Sequence, residues 1–490
     1  MSCRRLLPGL LCLLAACGSE ADRRGATVMY ASGADLQSIN PLFTVHPLAR
    51  QVQRYVLLTT LVRYDSLMRV EPALARRWEW SVDRTRLTLH LFPRLRWHDG
   101  APTTARDAAW TLERGRDPAT GYPRQNDLAG LTEIRAADDS TLVLGWRTAP
   151  GRIPDVLTDL AILPAHLLDG IEPARLRQAG WNTTPVGNGP FRFVAHEANR
   201  RWVFARNPDF PAELGGPPAL DRLVIAVVDE PMTKLAALTS GELDFAALQP
   251  AYAEFARQDP AIVVRDYPVL FTNGIVFNAR RAPFNDLAAR RRVSAALDRA
   301  ALVAGFAYGF ATPAEGPVPP ELMSVAGENV PGSGFRVPSV AEARRSGNPE
   351  PGTRNPELRF ELLTVGSGEA ALEQMIQAQL AKAGIAATIR QLELSAFLDR
   401  VYGAHDFDAA VLGTPGDLGL GYLEPLARLS GLPLADHPRI PDLLAFYQDA
   451  VPVAFLYHAR GVQGVNRRLL GVQLGLRGEL ASVSQWRLRP

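Results

Sequence analysis

Cysteine is nearly missing from this 490-residue chain. Its three cysteines, Cys3, Cys12 and Cys17, all fall within the first 17 positions. Nothing beyond them can form a disulfide or a thiolate-ligated metal site, so core burial must hold the fold together. Long apolar runs are missing as well. The N-terminal one, Leu6 to Ala16, has eleven residues and is interrupted by Pro8. A bilayer-spanning helix needs about 20, so this run is not an anchor in itself. Neither charge is in excess: 53 Lys+Arg stand against 51 Asp+Glu, a formal net charge of +2. That balance argues against nucleic acid or a polybasic membrane surface as a partner. Lysine is scarce. Only Lys234 and Lys382 occur, and the dominance of arginine reads as a GC-rich coding bias, not as a phosphate site.

What the N-terminus does contain is a signal. Arg4 and Arg5 form a basic n-region, and the small residues Ala15 and Ala16 fit a cleavage site. Leu14-Ala15-Ala16-Cys17 resembles the bacterial lipoprotein signal. The resemblance implies that residues 1–16 are removed, that Cys17 is lipidated, and that residues 17–26 form a tether. The protein would then be extracytoplasmic, in the periplasm or at the cell surface, and membrane-attached through Cys17. Several acyl chains bury enough methylene for a stable attachment. The remaining 474 residues (490 − 16) suffice for two or three domains.

Catalytic spacings are also lacking, which weighs against a lipid-anchored hydrolase. The eight histidines show no HExxH pattern. Gly366-Ser367-Gly368 lacks the G-x-S-x-G spacing of a nucleophile elbow and precedes a helix, where a cap explains it. GDLGLG at 416–421 has its glycines in the wrong order for a dinucleotide loop. Asp406 and Asp408, two apart on an expected strand, read as solvated charge. No enzyme activity, metal or cofactor is expected.

Strands and helices alternate along the chain. Leu87, Leu89 and Leu91 alternate with Thr88 and His90 as in a half-buried strand, and His98-Asp99-Gly100 marks a turn. In TTARDAAWTLERG, Thr104 and Asp107 form a capping box and Gly115 suits the helix end. EPMTKLAALTSGELDFAAL, EAALEQMIQAQLAKAGIAATIRQLEL and SAFLDRVYGAHDFDAAVLG each read as helix, glycine stop and apolar strand. Gly241, Gly384 and Gly403 are the stops, and Leu372, Met375, Ile376 and Leu380 share one helix face. This alternation argues for α/β lobes with mixed sheets. Residues 331–356, rich in Pro, Gly and charge, read as a mobile loop.

These segments, in order from Thr27 onward, resemble the extracytoplasmic solute-binding proteins of the peptide/nickel class, which serve ABC importers. EPALARRWEWSVDRTRLTLHLFPRLRWHDGAPTTARDAAWTLERG is similar to that family's signature. TPVGNGPFRF, RNPDF and SGELDFA match shorter elements, and TNGIVFNARRAPFNDLAARRRVSAALDRAALV matches a later one, with Ser294 replacing an alanine. Most of these residues specify fold. Trp78, Trp80, Trp97 and Trp110 are expected to pack, and Gly187 and Gly189 to permit a tight turn into the central sheet.

The resemblance implies an α/β, two-lobed periplasmic-binding-protein-like (type II) fold with an extra domain on one lobe. Lobe I would combine 27–45, 185–270 and 460–490; the extra domain would be 46–184 and lobe II 271–459. A peptide or other small solute would sit between the lobes for delivery to an ABC permease, the protein acting as a monomer. A nickel chelate, an oligosaccharide or an opine would be the alternative ligand. Asp417, in LGTPGDLGLGY, stands where peptide-binding relatives hold the ligand's α-ammonium, although Gly416 and Gly419 around it equally suit a turn. Thr414 departs from the tryptophan that walls the pocket in those relatives, and the stretch between Gly431 and Val451 is shorter than usual. Tyr30 and Ser32, where the first strand leaves the sheet, and Asn273, at the crossover between lobes, complete the expected ligand-binding set.

Overall fold

The computed structural model describes residues 26–44, 46–325, 358–366, 368–416, 420–436 and 438–489. The expected signal peptide, Cys17, Asp417 and the loop at 331–356 lie outside these residues.

The first strand, β1 (Thr27–Ser32), enters the centre of the main sheet. Helix α1 (Pro47–Val52) follows and runs into a π-helical turn over 53–57. A short hairpin, β2 (Val62–Tyr64) and β3 (Val70–Pro72), precedes a four-stranded antiparallel sheet. That sheet comprises β4 (Ala75–Trp80), β5 (Arg86–Leu91), β6 (Leu131–Asp138) and β7 (Thr141–Trp146), in the order β4-β5-β7-β6. Leu87, Leu89 and Leu91 of β5 are buried, as their alternation predicts. Helix α2 (Ala105–Arg116) covers the sheet and begins at the expected capping box: the Asp107 carboxylate accepts from the Thr104 N–H at 2.8 Å. Gly115 does not end this helix. It lies inside the last turn, where a Cβ would come within 2.8 Å of Leu128, so close packing is what it serves. Trp97 and Trp110 are buried, and Trp78 and Trp80 pack partly buried against the same core.

The chain then returns to the main sheet through β8 (Phe191–Glu197), β9 (Arg201–Arg206) and β10 (Arg222–Val227). Helix α3 (Pro231–Thr239), with Gly241 at positive φ beyond its end, leads to β11 (Phe245–Ala247). Strand β12 (Ile262–Phe277) is sixteen residues long and carries the chain into the second half. There α4 (Leu287–Ala295), α5 (Arg299–Gly305), β13 (Ala311–Pro313), β14 (Leu358–Val365), α6 (Ala371–Lys382) and β15 (Ile385–Leu392) follow. Leu372, Ile376 and Leu380 of α6 are buried, and Gly384 ends that helix at φ +73°. The cap of α6 is Ala370, so the role expected of Gly366-Ser367-Gly368 is not seen; Ser367 is outside the described residues. Helix α7 (Leu394–Leu398) runs into a π-helical turn ending at Gly403. Asp406 and Asp408 precede strand β16 (Ala409–Pro415) and do not lie on it. Each pairs with Arg281. Helices α8 (Leu423–Leu429) and α9 (Ile440–Ala450) lead to β17 (Val453–Asn466), which returns to the first half.

One sheet of eleven strands thus spans the molecule, in the order β15-β14-β16-β12-β17-β11-β1-β10-β9-β8, with β13 on β17. Both of its faces are covered. In β1, Val28 and Tyr30 enter one apolar cluster and Ala31 another, the period-2 alternation of a doubly covered strand. The second half builds two further clusters, around Phe277, Phe284 and Leu362 on one face and Phe407, Leu412 and Leu423 on the other.

Candidate functional site

Strand direction places the site. β1 is parallel to both β10 and β11, so their carboxyl ends, at Ser32, Val227 and Ala247, point the same way. β17 runs antiparallel to β11, with Gln463 opposite Ala247. Residues of β17 before Gln463 therefore extend beyond those carboxyl ends, and this is where the chain crosses between the halves. In the second half, β14 is parallel to β15 and to β16, and β16 is antiparallel to β12 with Pro415 opposite Phe271. Its carboxyl ends, at Val365, Leu392 and Pro415, therefore face the same crossover. Open α/β sheets place ligands in the crevice outside the carboxyl ends of their strands. Here two such sets of ends meet at one crossover.

The crossover consists of two strands with a broken register. Pairing of β12 with β17 shifts between Pro268 and Thr272 and again between Asn273 and Gly274. Rings lie against glycines on both sides: a Cβ at Gly461 would fall 2.4 Å from Tyr267, and one at Gly413 2.5 Å from Phe271. Between them the His458 Nδ1 and the Thr272 hydroxyl are 2.9 Å apart. Burial pushes the His458 imidazole down to about 4, so it is neutral at physiological pH. Arg460 pairs with Asp266 at 2.6 Å on the neighbouring strand and with Glu321 of the second half at 3.0 Å. Phe310, from the turn before β13, joins the apolar cluster of the first half, and the Arg257 guanidinium lies 5.2 Å from its ring centre.

Each residue expected at the site has a definite environment. Tyr30 is buried, its ring 5.0 Å from Phe245, and burial followed by the nearby Glu479 carboxylate raises its phenol well above the usual range. Ser32 is buried and donates its hydroxyl to the Ala34 carbonyl at 2.5 Å, shaping the turn after β1. Asn273 is half-buried on β12, opposite Gly413 and Tyr457. Tyr30 and Ser32 share one face at the end of β1, and Asn273 lies across the crossover. Thr414 pairs with Thr272 at the carboxyl end of β16. Asp417 and Cys17 lie outside the described residues.

Several polar groups here carry no sequence signal. Glu479 accepts from Tyr267 at 2.7 Å, from Gln463 at 3.2 Å and from Gln51 at 2.5 Å, tying the C-terminal segment over the sheet. Gln51 also accepts from the Leu480 N–H at 2.9 Å. Gln51 and Tyr267 are separated from this segment by hundreds of positions, so only the folded topology reveals those contacts. Lys234 does have a signal, as one of just two lysines. Among the described residues no group of three or more His, Cys, Asp or Glu is arranged to hold a metal, and no helix is long and apolar enough to cross a membrane.

The model of the bacterial extracellular solute-binding proteins, family 5, matches residues 69–425. Di/tripeptide-binding protein 4 of Pseudomonas aeruginosa is 32% identical over 380 residues, covering 71% of this chain and 68% of that protein. A Brucella ovis protein named as an ABC transporter peptide-binding protein is 32% identical over 256 residues. That match covers 52% of this chain and 48% of the relative, so the matched stretch spans about half of that protein's length. In structure, CtaP, an ABC transporter substrate-binding protein of Listeria monocytogenes, aligns with a TM-score of 0.79 at 19% identity, over 95% of this chain and 99% of that one. This likeness shows the fold: the expected α/β, type II periplasmic-binding-protein architecture.

Proposed function

The chain belongs to the bacterial extracellular solute-binding proteins of family 5, and from that membership we propose that it captures a peptide or similar small solute between its two lobes for an ABC importer. The observation that carries the proposal is the meeting of two sets of strand carboxyl ends at a two-strand crossover. A ligand in that crevice touches both halves, and only such a ligand can favour their closure. The Pseudomonas relative's name points to di- or tripeptides as the first ligands to try. The permease subunits are the inferred partners. We further propose the division into lobe I (27–45, 185–270, 460–490), extra domain (46–184) and lobe II (271–459).

The test begins with mass spectrometry of whatever solute the purified protein releases on unfolding. Small-angle scattering with that solute, or with trialanine, follows. Saturation is expected to compact the protein and raise its melting temperature, by about 2.7 kcal/mol of added stability at a hundredfold excess over Kd. An unchanged scattering profile at proven saturation rejects closure. Release of a metal chelate or a sugar would move the substrate class while leaving the mechanism standing.

Attachment through lipid at Cys17 is a separate proposal, resting on Leu14-Ala15-Ala16-Cys17. Cys17→Ser is expected to release the protein from membranes or block its maturation, read by fractionation and fatty-acid labelling. A variant that still partitions fully with membranes and takes up label contradicts it.

A further inference from the structure

The crevice holds a cation with an unused ammonium. Lys234 lies in the first turn of α3 and is only 9% exposed. Its Nζ is 3.3 Å from the position a Cβ would occupy on Gly33, and the Asp229 carboxylate is 3.9 Å from that same point. Gly33 directly follows β1, and Asp229 lies two residues beyond β10. The ammonium is therefore at the carboxyl ends of two parallel strands, on the side where the chain crosses between halves. Gly33 itself is exposed, so the position that could have carried a covering side chain is left bare.

Stability does not account for this placement. Partial desolvation lowers the Lys234 pKa from its ordinary value, which disfavours the charged form. Among the described residues the Lys234 side chain makes no ion pair and no hydrogen bond; Asp229 acts on it only through space. A cation in the first turn also opposes the helix dipole, where the Glu230 carboxylate already accepts from the Met232 N–H at 2.9 Å. In a chain whose cations are otherwise nearly all arginine, a compact point charge on a flexible stem stands here instead of a planar fork.

We propose that Lys234 is a specificity-determining residue of the crevice, its ammonium pairing with a carboxylate of the bound solute. The proposal rests on the crevice being the solute site. It makes the preferred ligand one with an anionic end or side chain reaching lobe I, and it assigns Gly33 the task of leaving the ammonium uncovered.

The experiment has two arms. In the first, calorimetry compares trialanine with trialanine amide, and Ala-Glu-Ala with Ala-Gln-Ala, on wild type, Lys234→Met and Lys234→Arg. Wild type is expected to prefer one acid form by about 10- to 100-fold, a preference that Lys234→Met abolishes and Lys234→Arg partly restores. Equal losses for acid and neutral probes in Lys234→Met mean a structural lysine and overturn the proposal. In the second arm, the two lysines are methylated with carbon-13 and followed by NMR during titration with sodium acetate. The Lys234 resonance is expected to move well ahead of that of exposed Lys382. Failure of every peptide to bind with the Lys234 response intact rejects the peptide reading alone. Parallel or absent responses of the two resonances reject the role of Lys234.

Discussion

Replacing Gly187 by alanine is expected to cost on the order of 4–5 kcal/mol and to leave little folded protein at 37 °C. A Cβ there would lie 2.0 Å from the Leu57 carbonyl oxygen and 2.8 Å from the Leu57 side chain. Backbone cannot retreat as a flexible side chain can. The Leu57 carbonyl also accepts from the N–H groups of Asn188 and Gly189, at 3.1 and 2.8 Å, so pushing it away breaks two buried hydrogen bonds. The Asn188 side chain between the glycines accepts from the Thr59 N–H at 2.9 Å. On the far side His98 donates its backbone N–H to the Gly187 carbonyl at 2.7 Å, and its ring accepts from the Gly187 N–H at 3.2 Å. The knot joins the π-turn after α1, the segment after β5 and the strand that re-enters the main sheet. Urea denaturation of Gly187→Ala against Gly151→Ala measures the effect, since nothing lies within 4 Å of a Cβ at Gly151. A wild-type midpoint for Gly187→Ala would mean these segments part easily.

The same glycines mark how far sequence reasoning reaches. TPVGNGPFRF identifies a backbone that must pass close to something, and a tight turn is the local explanation available. The actual demand is contact with Leu57, some 130 residues earlier, and neither glycine adopts a positive φ. Local signals fared better where the physics is local. The capping box at Thr104, the alternation in β5 and the stops at Gly241 and Gly384 depend on residues within one or two turns. Gly115 misled because a glycine near a helix end serves packing as readily as termination. Asp406 and Asp408 misled because the arginine that pairs with both, Arg281, is more than a hundred positions away.

The site divides along the same line. The family resemblance points to Tyr30, Ser32 and Asn273, and the structure puts them near the end of β1 and at the crossover. The resemblance does not say that the Ser32 hydroxyl turns back on Ala34, or that Tyr30 packs against Phe245. Nor does it bring Glu479 to Tyr267, since pairing across 212 positions needs the C-terminal segment to fold over the sheet. Lys234 was visible as a rarity, and only its neighbours in space give the rarity a chemical meaning.

Asp417→Asn is expected to weaken a peptide with a free N-terminus by roughly 100- to 1000-fold. Asp417 lies two residues beyond the carboxyl end of β16, where the Gly416 N–H donates to the Leu270 carbonyl at 2.7 Å and Pro415 stands opposite Phe271. The chain is thus fixed to the crossover strand at the residue before Asp417. Thr414, paired with Thr272, stands there in place of a tryptophan, so recognition is assigned to the Asp417 carboxylate. Asparagine keeps the size of aspartate and removes the charge. A ligand ammonium would then be partly buried without a counter-charge, a loss of about 3–5 kcal/mol by the behaviour of broken buried pairs. Acetylating the peptide's N-terminus removes the other partner, so its penalty should be large on wild type and small on Asp417→Asn. Calorimetry of trialanine and N-acetyl-trialanine against both proteins closes the cycle. Additive losses, or none, deny Asp417 a ligand role, as for an aspartate that only favours a turn. Combined with the Lys234 measurements, the cycle also orients the ligand: an ammonium read by lobe II and a carboxylate read by lobe I require the peptide to bridge the crevice, which is what couples binding to closure.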